Sequence, residues 1–118
     1  MVIWITGRAA AGKTTLANKL KQVVNRPVLI DGDEVRKQQN NSDYSDEGRL
    51  NNIIEIASRA KEWESVGYTV IVACVSPTRI LRDKARALFK ESVLIYVPGG
   101  TLWPGTNYEE PTEDEIKS

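Results

Sequence analysis

The sequence contains no histidine, which removes that side chain as general base, nucleophile and metal ligand. It contains one cysteine, Cys74, so the chain forms no internal disulfide, and a reducing, cytoplasmic setting is expected. It has no excess of either charge. Sixteen basic and sixteen acidic residues give a formal net charge of zero. That argues against a general electrostatic grip on nucleic acid or on an anionic membrane, while leaving room for a local basic pocket. No apolar stretch approaches the roughly 20 residues that cross a bilayer. Met1 to Ile5 lacks a basic leader and runs straight into Thr6-Gly7, so it reads as a first strand rather than a secretory signal. What is present is 41% hydrophobic residues in 118, enough for one core. The expectation is a single domain over 1–118.

Apolar runs and helical spacings alternate along the chain. Val2 to Thr6, Val28 to Ile30, Tyr68 to Val75 and Val93 to Val97 read as buried strands. Thr14 to Val24 reads as a helix on Leu16, Leu20, Val23 and Val24. Asp46 to Gly67 reads as a longer one, with Leu50, Ile53, Ile54, Ala57, Ala60 and Trp63 on one face and Gly67 at its C-cap. Ser76-Pro77 is expected to open a further helix, serine as N-cap and proline in the first turn, with Leu81, Ala85, Leu88 and Phe89 inward. Beyond Pro98 the glycines and prolines predict loop, and the acidic run Glu109 to Glu115 reads as a solvated tail. Strands alternating with helices imply a three-layer α/β/α domain with a mainly parallel sheet of about four strands. Ligands of such sheets bind beyond the carboxyl ends of the strands. Gly7, Asp31, Asp33 and Ser76 all fall there.

Gly7-Arg8-Ala9-Ala10-Ala11-Gly12-Lys13-Thr14 matches G-x-x-x-x-G-K-[ST], the Walker A phosphate loop, with the strand before it and the helix after it that the motif requires. Small residues let backbone N–H groups wrap phosphates. Lys13 places a charge on the β and γ oxygens, Thr14 offers its hydroxyl to Mg²⁺, and the helix that follows points its positive end at the anion. Arg8 either touches phosphate or is solvated. Asp31-Gly32-Asp33 closes the second strand, and one of its carboxylates is placed to orient an acceptor hydroxyl, take its proton or hold magnesium. The competing reading is a helix N-cap. The third strand ends without an aspartate, so there is no ordinary Walker B carboxylate and weight shifts to Asp33. Arg36, Arg49, Asn52 and the row Arg79, Arg82, Arg86 are candidates for bidentate phosphate or sulfate binding.

Taken in order, these segments resemble the adenylyl-sulfate kinase family. Gly7 to Thr15 is similar to its phosphate loop, and Asp31-Gly32-Asp33-Glu34-Val35-Arg36 to its Asp-Gly-Asp-x-x-Arg segment. Tyr44-Ser45, Arg49 and Asn52-Ile53 resemble its substrate-binding helix, and Val75-Ser76-Pro77 with Arg79, Arg82-Asp83 and Ala85-Arg86 its Ile-Ser-Pro strand end. Trp103 to Asn107 and Tyr108-Glu109-Glu110-Pro111 resemble its tail. The resemblance implies transfer of the γ-phosphate of ATP, with Mg²⁺, to the 3′-hydroxyl of adenosine 5′-phosphosulfate. It implies Lys13 and Asp33 as catalytic groups, Thr14 and Asp33 on the metal, and Gly7 to Thr15 on the nucleotide. Asp31, Asp33, Arg36, Arg49, Asn52, Val75, Ser76 and Trp103 would hold the acceptor, Trp103 where a family phenylalanine stacks on adenine. Two departures stand out. Ile54 and Glu55 occupy the place of a second family arginine. Ten residues separate Val97 from Tyr108, where the family has a helix and a basic mobile lid, so the chain is a kinase shortened after about residue 97. A homodimer would let a second copy supply lid residues. Two other readings stay open: a P-loop kinase for another small or nucleotide acceptor, including a polynucleotide end, and a catalytically weak nucleotide-binding module.

Overall fold

The computed structural model describes residues 1–102 and 107–118. Its elements, in chain order, are β1 (Val2–Thr6), α1 (Lys13–Lys21), β2 (Pro27–Asp31), α2 (Gly32–Gln38), α3 (Asp46–Ser65), β3 (Thr69–Ala73), α4 (Arg79–Arg86), β4 (Ser92–Tyr96) and α5 (Glu113–Lys117). The strands form one parallel sheet in the order β2-β3-β1-β4. Alternation along β1 divides the core into two layers. Val2 and Trp4 face a cluster built with Val35 of α2, Ile53, Ile56, Ala57 and Ala60 of α3, and Ala85 of α4. Ile3 and Ile5 face the other side, where Leu16, Ala17 and Leu20 of α1 cover them. The result is the expected three-layer α/β/α arrangement, with β1 and β3 at its centre and their carboxyl ends opening on one edge. Among the described residues no helix is long and apolar enough to cross a membrane.

Several element ends differ from the sequence expectation, each for a local reason. Helix α1 stops at Lys21, and Val23 is 77% exposed, so only Leu16, Leu20 and Val24 of the expected face pack. In α3 the buried stripe includes Asn52 and Ile56, while Ile54 and Trp63 lie at the rim. Helix α2 packs against α3 through Val35 and rotates the buried face toward Ile56. Gly67 follows the end of α3 with φ +92, the left-handed position glycine tolerates. Helix α4 is capped by Thr78, whose hydroxyl accepts from the Leu81 N–H at 3.3 Å. Ser76, the expected cap, is buried with φ +39 and bonds elsewhere.

The acidic tail is the largest difference. Glu115 is 1% exposed and pairs with Arg82, itself fully buried. Thr112 caps α5 by accepting from the Glu115 N–H at 3.2 Å. A carboxylate this deep is stable only with a bidentate partner. The guanidinium supplies that, with Nε donating to Oε2 at 2.6 Å and Nη2 to Oε1 at 3.0 Å. The tail is therefore docked on α4 rather than solvated.

Candidate functional site

The phosphate loop joins β1 to α1 at the open edge of the sheet. Gly7 is buried behind it, where a Cβ would stand 2.6 Å from the Val97 carbonyl oxygen, so only glycine lets β1 and the segment after β4 pass this closely. Ala10 and Gly12 take positive φ, 58° and 102°. Gly12 carries no side chain to cap α1, leaving the first N–H groups of that helix open at an anion-binding end. The Lys13 ammonium donates to the Arg8 carbonyl at 2.7 Å. Burial lowers its pKa, opposed by Cys74, Asp33 and Asp31. Both carboxylates of the Asp-Gly-Asp turn therefore act electrostatically on Lys13.

The loop forms one wall of a cleft of about 1050 Å³. Residues Arg8 to Thr15 all line it, as do Asp31, Asp33, Arg36, Arg49, Asn52, Val75 and Ser76, so the fold draws these residues from four separate segments to one place. Gly7 supports the wall from behind. Trp103 lies outside the described residues.

The two aspartates have separate jobs. Asp31 caps α2, its Oδ1 accepting from the Asp33 N–H at 2.9 Å. That leaves the exposed Asp33 carboxylate with no hydrogen-bond or ion-pair partner among the described residues. Three residues after Asp33 on α2, Arg36 is fixed by the Asp43 carbonyl at 2.9 Å and lies over the Tyr44 ring at 4.3 Å. Asn52 is 8% exposed, and its Oδ1 has no partner among the described residues. A buried amide oxygen facing a polar cleft is a place where a ligand donor is wanted. Mg²⁺ keeps most of its water and takes one or two protein oxygens beside substrate phosphates. The Thr14 hydroxyl, at the start of α1, and the unpartnered Asp33 carboxylate fit that demand.

Where a Walker B carboxylate would stand, the structure has Cys74. Its Cβ is 2.6 Å from where a Cβ on Gly32 would be, and burial pushes its thiol up to about 12. It is a packed apolar group beneath the Asp-Gly-Asp turn. The Ser76 hydroxyl donates to Thr6 Oγ1 at 2.9 Å and accepts from Trp4 Nε1 at 3.1 Å, so Ser76 borders the cleft with its hydroxyl engaged inward.

The arginines of α4 do not line the cleft. Arg82 binds Glu115, Arg86 donates to the Glu115 and Ser118 carbonyls at 3.1 and 2.8 Å, and Arg79 pairs with Asp83 and Asp114. They hold the tail. The tail in turn reaches the site, which spacing alone does not reveal. The Tyr108 hydroxyl is 2.9 Å from Thr6 Oγ1, and the Arg8 guanidinium lies 5.7 Å from the Tyr108 ring and 3.5 Å from Glu110. Thr101 forms a bridge to the phosphate loop, its N–H donating to the Ala9 carbonyl at 2.8 Å. Tyr44, Cys74, Thr101 and Tyr108 thus join the walls.

A model of the family described as adenylylsulphate kinase matches residues 1–101. An adenylyl-sulfate kinase of Burkholderia ambifaria is 42% identical over 101 residues, which cover 81% of this chain and 56% of that protein. Two solved structures share the fold. One is a hexameric APS kinase from Thiobacillus denitrificans, with TM-score 0.70 and 29% identity over 80% of this chain and 21% of that one. The other is an APS kinase of Mycobacterium tuberculosis, with TM-score 0.76 and 24% identity over 95% and 80%. The chain spans about half the length of the curated relatives it matches.

Proposed function

We infer the activity from one premise: this chain belongs to the adenylylsulphate kinase family. We propose that it transfers the γ-phosphoryl group of ATP to the 3′-hydroxyl of adenosine 5′-phosphosulfate, as a step of sulfate assimilation. The observation that carries this reading is the shared cleft, lined by Lys13 and the phosphate loop, by the Asp33 carboxylate, which has no partner among the described residues, and by Arg36, Arg49 and Asn52.

In this reading the loop amides and Lys13 hold the triphosphate, and Lys13 meets the charge that develops on the transferring group. Asp33 orients the acceptor hydroxyl and receives its proton as the new bond to the γ-phosphorus forms and the bond from that phosphorus to the β–γ bridging oxygen breaks, releasing ADP. Asp31 contributes by shaping the turn that presents Asp33. Arg36 and Arg49 serve the acceptor's anionic group, and the Asn52 amide oxygen accepts a hydrogen bond from a hydroxyl or amino group of its nucleoside part. Val75 and Ser76 border the acceptor side. Mg²⁺, held by Thr14 and Asp33 with phosphate oxygens, would neutralise charge on the triphosphate. Trp103 remains a candidate to stack on the acceptor base. A buried single thiol suits a reducing, cytoplasmic setting, and a homodimer is the assembly we favour for completing the site.

Calorimetric titration of adenosine 5′-phosphosulfate, with ADP and Mg²⁺ present, tests the reading. One saturable site is expected, weakened about tenfold or more in Asn52→Leu, because the acceptor then loses the hydrogen bond to the amide oxygen. Absence of binding by the folded wild type, or equal binding by Asn52→Leu, would contradict it.

A further inference from the structure

We propose that the buried Arg82–Glu115 pair is a positioning device for the acceptor side of the cleft: it holds the Val75–Pro77 turn in its binding conformation through the Ser76 carbonyl. The proposal deepens the function inferred above and rests on it for the identity of the acceptor.

The geometry runs outward from Glu115. Its carboxylate fixes Arg82 by two hydrogen bonds, of 2.6 and 3.0 Å. Two further donors of the same guanidinium go to backbone carbonyls: Nη1 to Ser76 at 2.8 Å and Nη2 to Glu109 at 2.8 Å. One cation therefore ties α5, the start of the tail and the turn after β3 into a single unit. The turn needs such a tie. Ser76 is not glycine, yet it sits at φ +39, a conformation that persists only where surrounding contacts impose it. Its side chain is fixed from the sheet by Trp4 Nε1 and Thr6 Oγ1, and its carbonyl is fixed from α4 by Arg82. A second link runs in parallel. Glu109 N–H donates to the Pro77 carbonyl at 2.7 Å, and the Glu109 side chain accepts from the Arg79 N–H at 2.8 Å, so the residue that Arg82 holds also fastens the far end of the turn. Val75, Ser76 and Pro77 line the cleft, whereas Arg82 and Glu115 do not. The pair touches no ligand surface and acts through the turn. Arg82 gives the phosphate loop no hydrogen bond and meets it only through the Tyr108 ring, 5.7 Å from both Arg82 and Arg8, while the loop keeps its own ties from Lys13 to the Arg8 carbonyl and from Thr101 to Ala9, so nucleotide binding should change less than acceptor binding.

Glu115→Gln keeps the shape and one acceptor oxygen while removing the charge. It is expected to raise KM for adenosine 5′-phosphosulfate about tenfold while KM for ATP stays within about twofold. The Trp4 indole N–H resonance, which reports the bond to Ser76, should shift. Glu113→Gln, an exposed neighbour on the same short helix, is expected to change none of these. The paired variant Arg82→Met with Glu115→Leu separates positioning from packing. Replacing a buried ion pair by apolar groups leaves no unpaired charge, although the Ser76 and Glu109 carbonyls lose their guanidinium donor, so the variant should fold cooperatively with a Tm below the wild type while the acceptor KM and the indole shift stay altered. Recovery of all three in the paired variant, or equal changes in both KM values in Glu115→Gln, would overturn the proposal. The indole resonance decides independently of catalysis. An unshifted Trp4 signal in Glu115→Gln and in the paired variant contradicts the clamp even if the wild type proves to use another acceptor. A shifted signal with no transfer to adenosine 5′-phosphosulfate by the wild type contradicts only the acceptor assignment.

Discussion

Asp31 and Asp33 stand two positions apart, and their different surroundings give them different expected mutant behaviour. The Asp31 carboxylate caps α2, so Asp31→Asn, which keeps a capping oxygen, should leave stability nearly unchanged, and Asp31→Ala should cost about 1 kcal/mol. Asp33 makes no such bond. Asp33→Asn removes the basicity the acceptor hydroxyl needs, and transfer should fall by about 10²-fold or more while the melting temperature holds. Urea denaturation and initial rates on the three variants check this, and loss of transfer in Asp31→Asn with a normal Asp33→Asn would reverse the assignment. At this scale much was legible in the sequence. The phosphate loop and the Asp-Gly-Asp turn are contiguous, so their chemistry can be read from neighbours along the chain. The destination of Arg82 was not legible, because its partner Glu115 lies 33 positions away in a stretch whose composition resembles a solvated run.

Among the elements, β3 and the turn after it show what period-based reading can and cannot supply. A continuous apolar run marks a central parallel strand, and β3 is one, but the apolar run outlasts the strand, which ends at Ala73, with one more cross-strand bond from the Cys74 N–H to the Ile5 carbonyl at 3.2 Å. The next residue, Cys74, packs beneath the Asp-Gly-Asp turn, 7% exposed at the floor of the cleft. Burial pushes its thiol up to about 12, so little of the reactive thiolate is present at pH 8. Cys74 should therefore resist a disulfide reagent in the folded protein and react promptly once guanidinium unfolds it. Rapid labelling of the native chain at pH 8 would mean that the Gly32–Cys74 contact opens readily. The face of α3 was misassigned at Ile54 and Ile56 for a related reason: spacing fixes the presence of an apolar stripe, but the neighbour, here α2, decides which side of it is covered.

For the whole molecule, the short connection between β4 and the tail matters most. Gly99 and Gly100 take φ +90 and +80, and a Cβ on Gly100 would lie 2.5 Å from the Ala9 carbonyl, so this connection passes against the phosphate loop and pairs with it at Thr101. Among the described residues the connection thus packs on the phosphate loop. An affinity dominated by the phosphates follows: ATP and GTP should bind within about tenfold of each other, a difference under about 1.4 kcal/mol, and both should weaken sharply without Mg²⁺. Calorimetry with ATP, GTP and triphosphate measures this, and a strong preference for ATP would require a base-binding surface from another segment or another copy.

The central claim is phosphoryl transfer to one acceptor, and it is tested most directly by incubating the purified chain with γ-labelled ATP, Mg²⁺ and a panel of acceptors: adenosine 5′-phosphosulfate, adenosine 5′-phosphate, a sugar acid and a polynucleotide end. The account predicts label on the 3′-hydroxyl of adenosine 5′-phosphosulfate, little on the other acceptors, and loss of that product in Asp33→Asn. Label on a different acceptor, or release only as inorganic phosphate by a folded, nucleotide-binding chain, would contradict it.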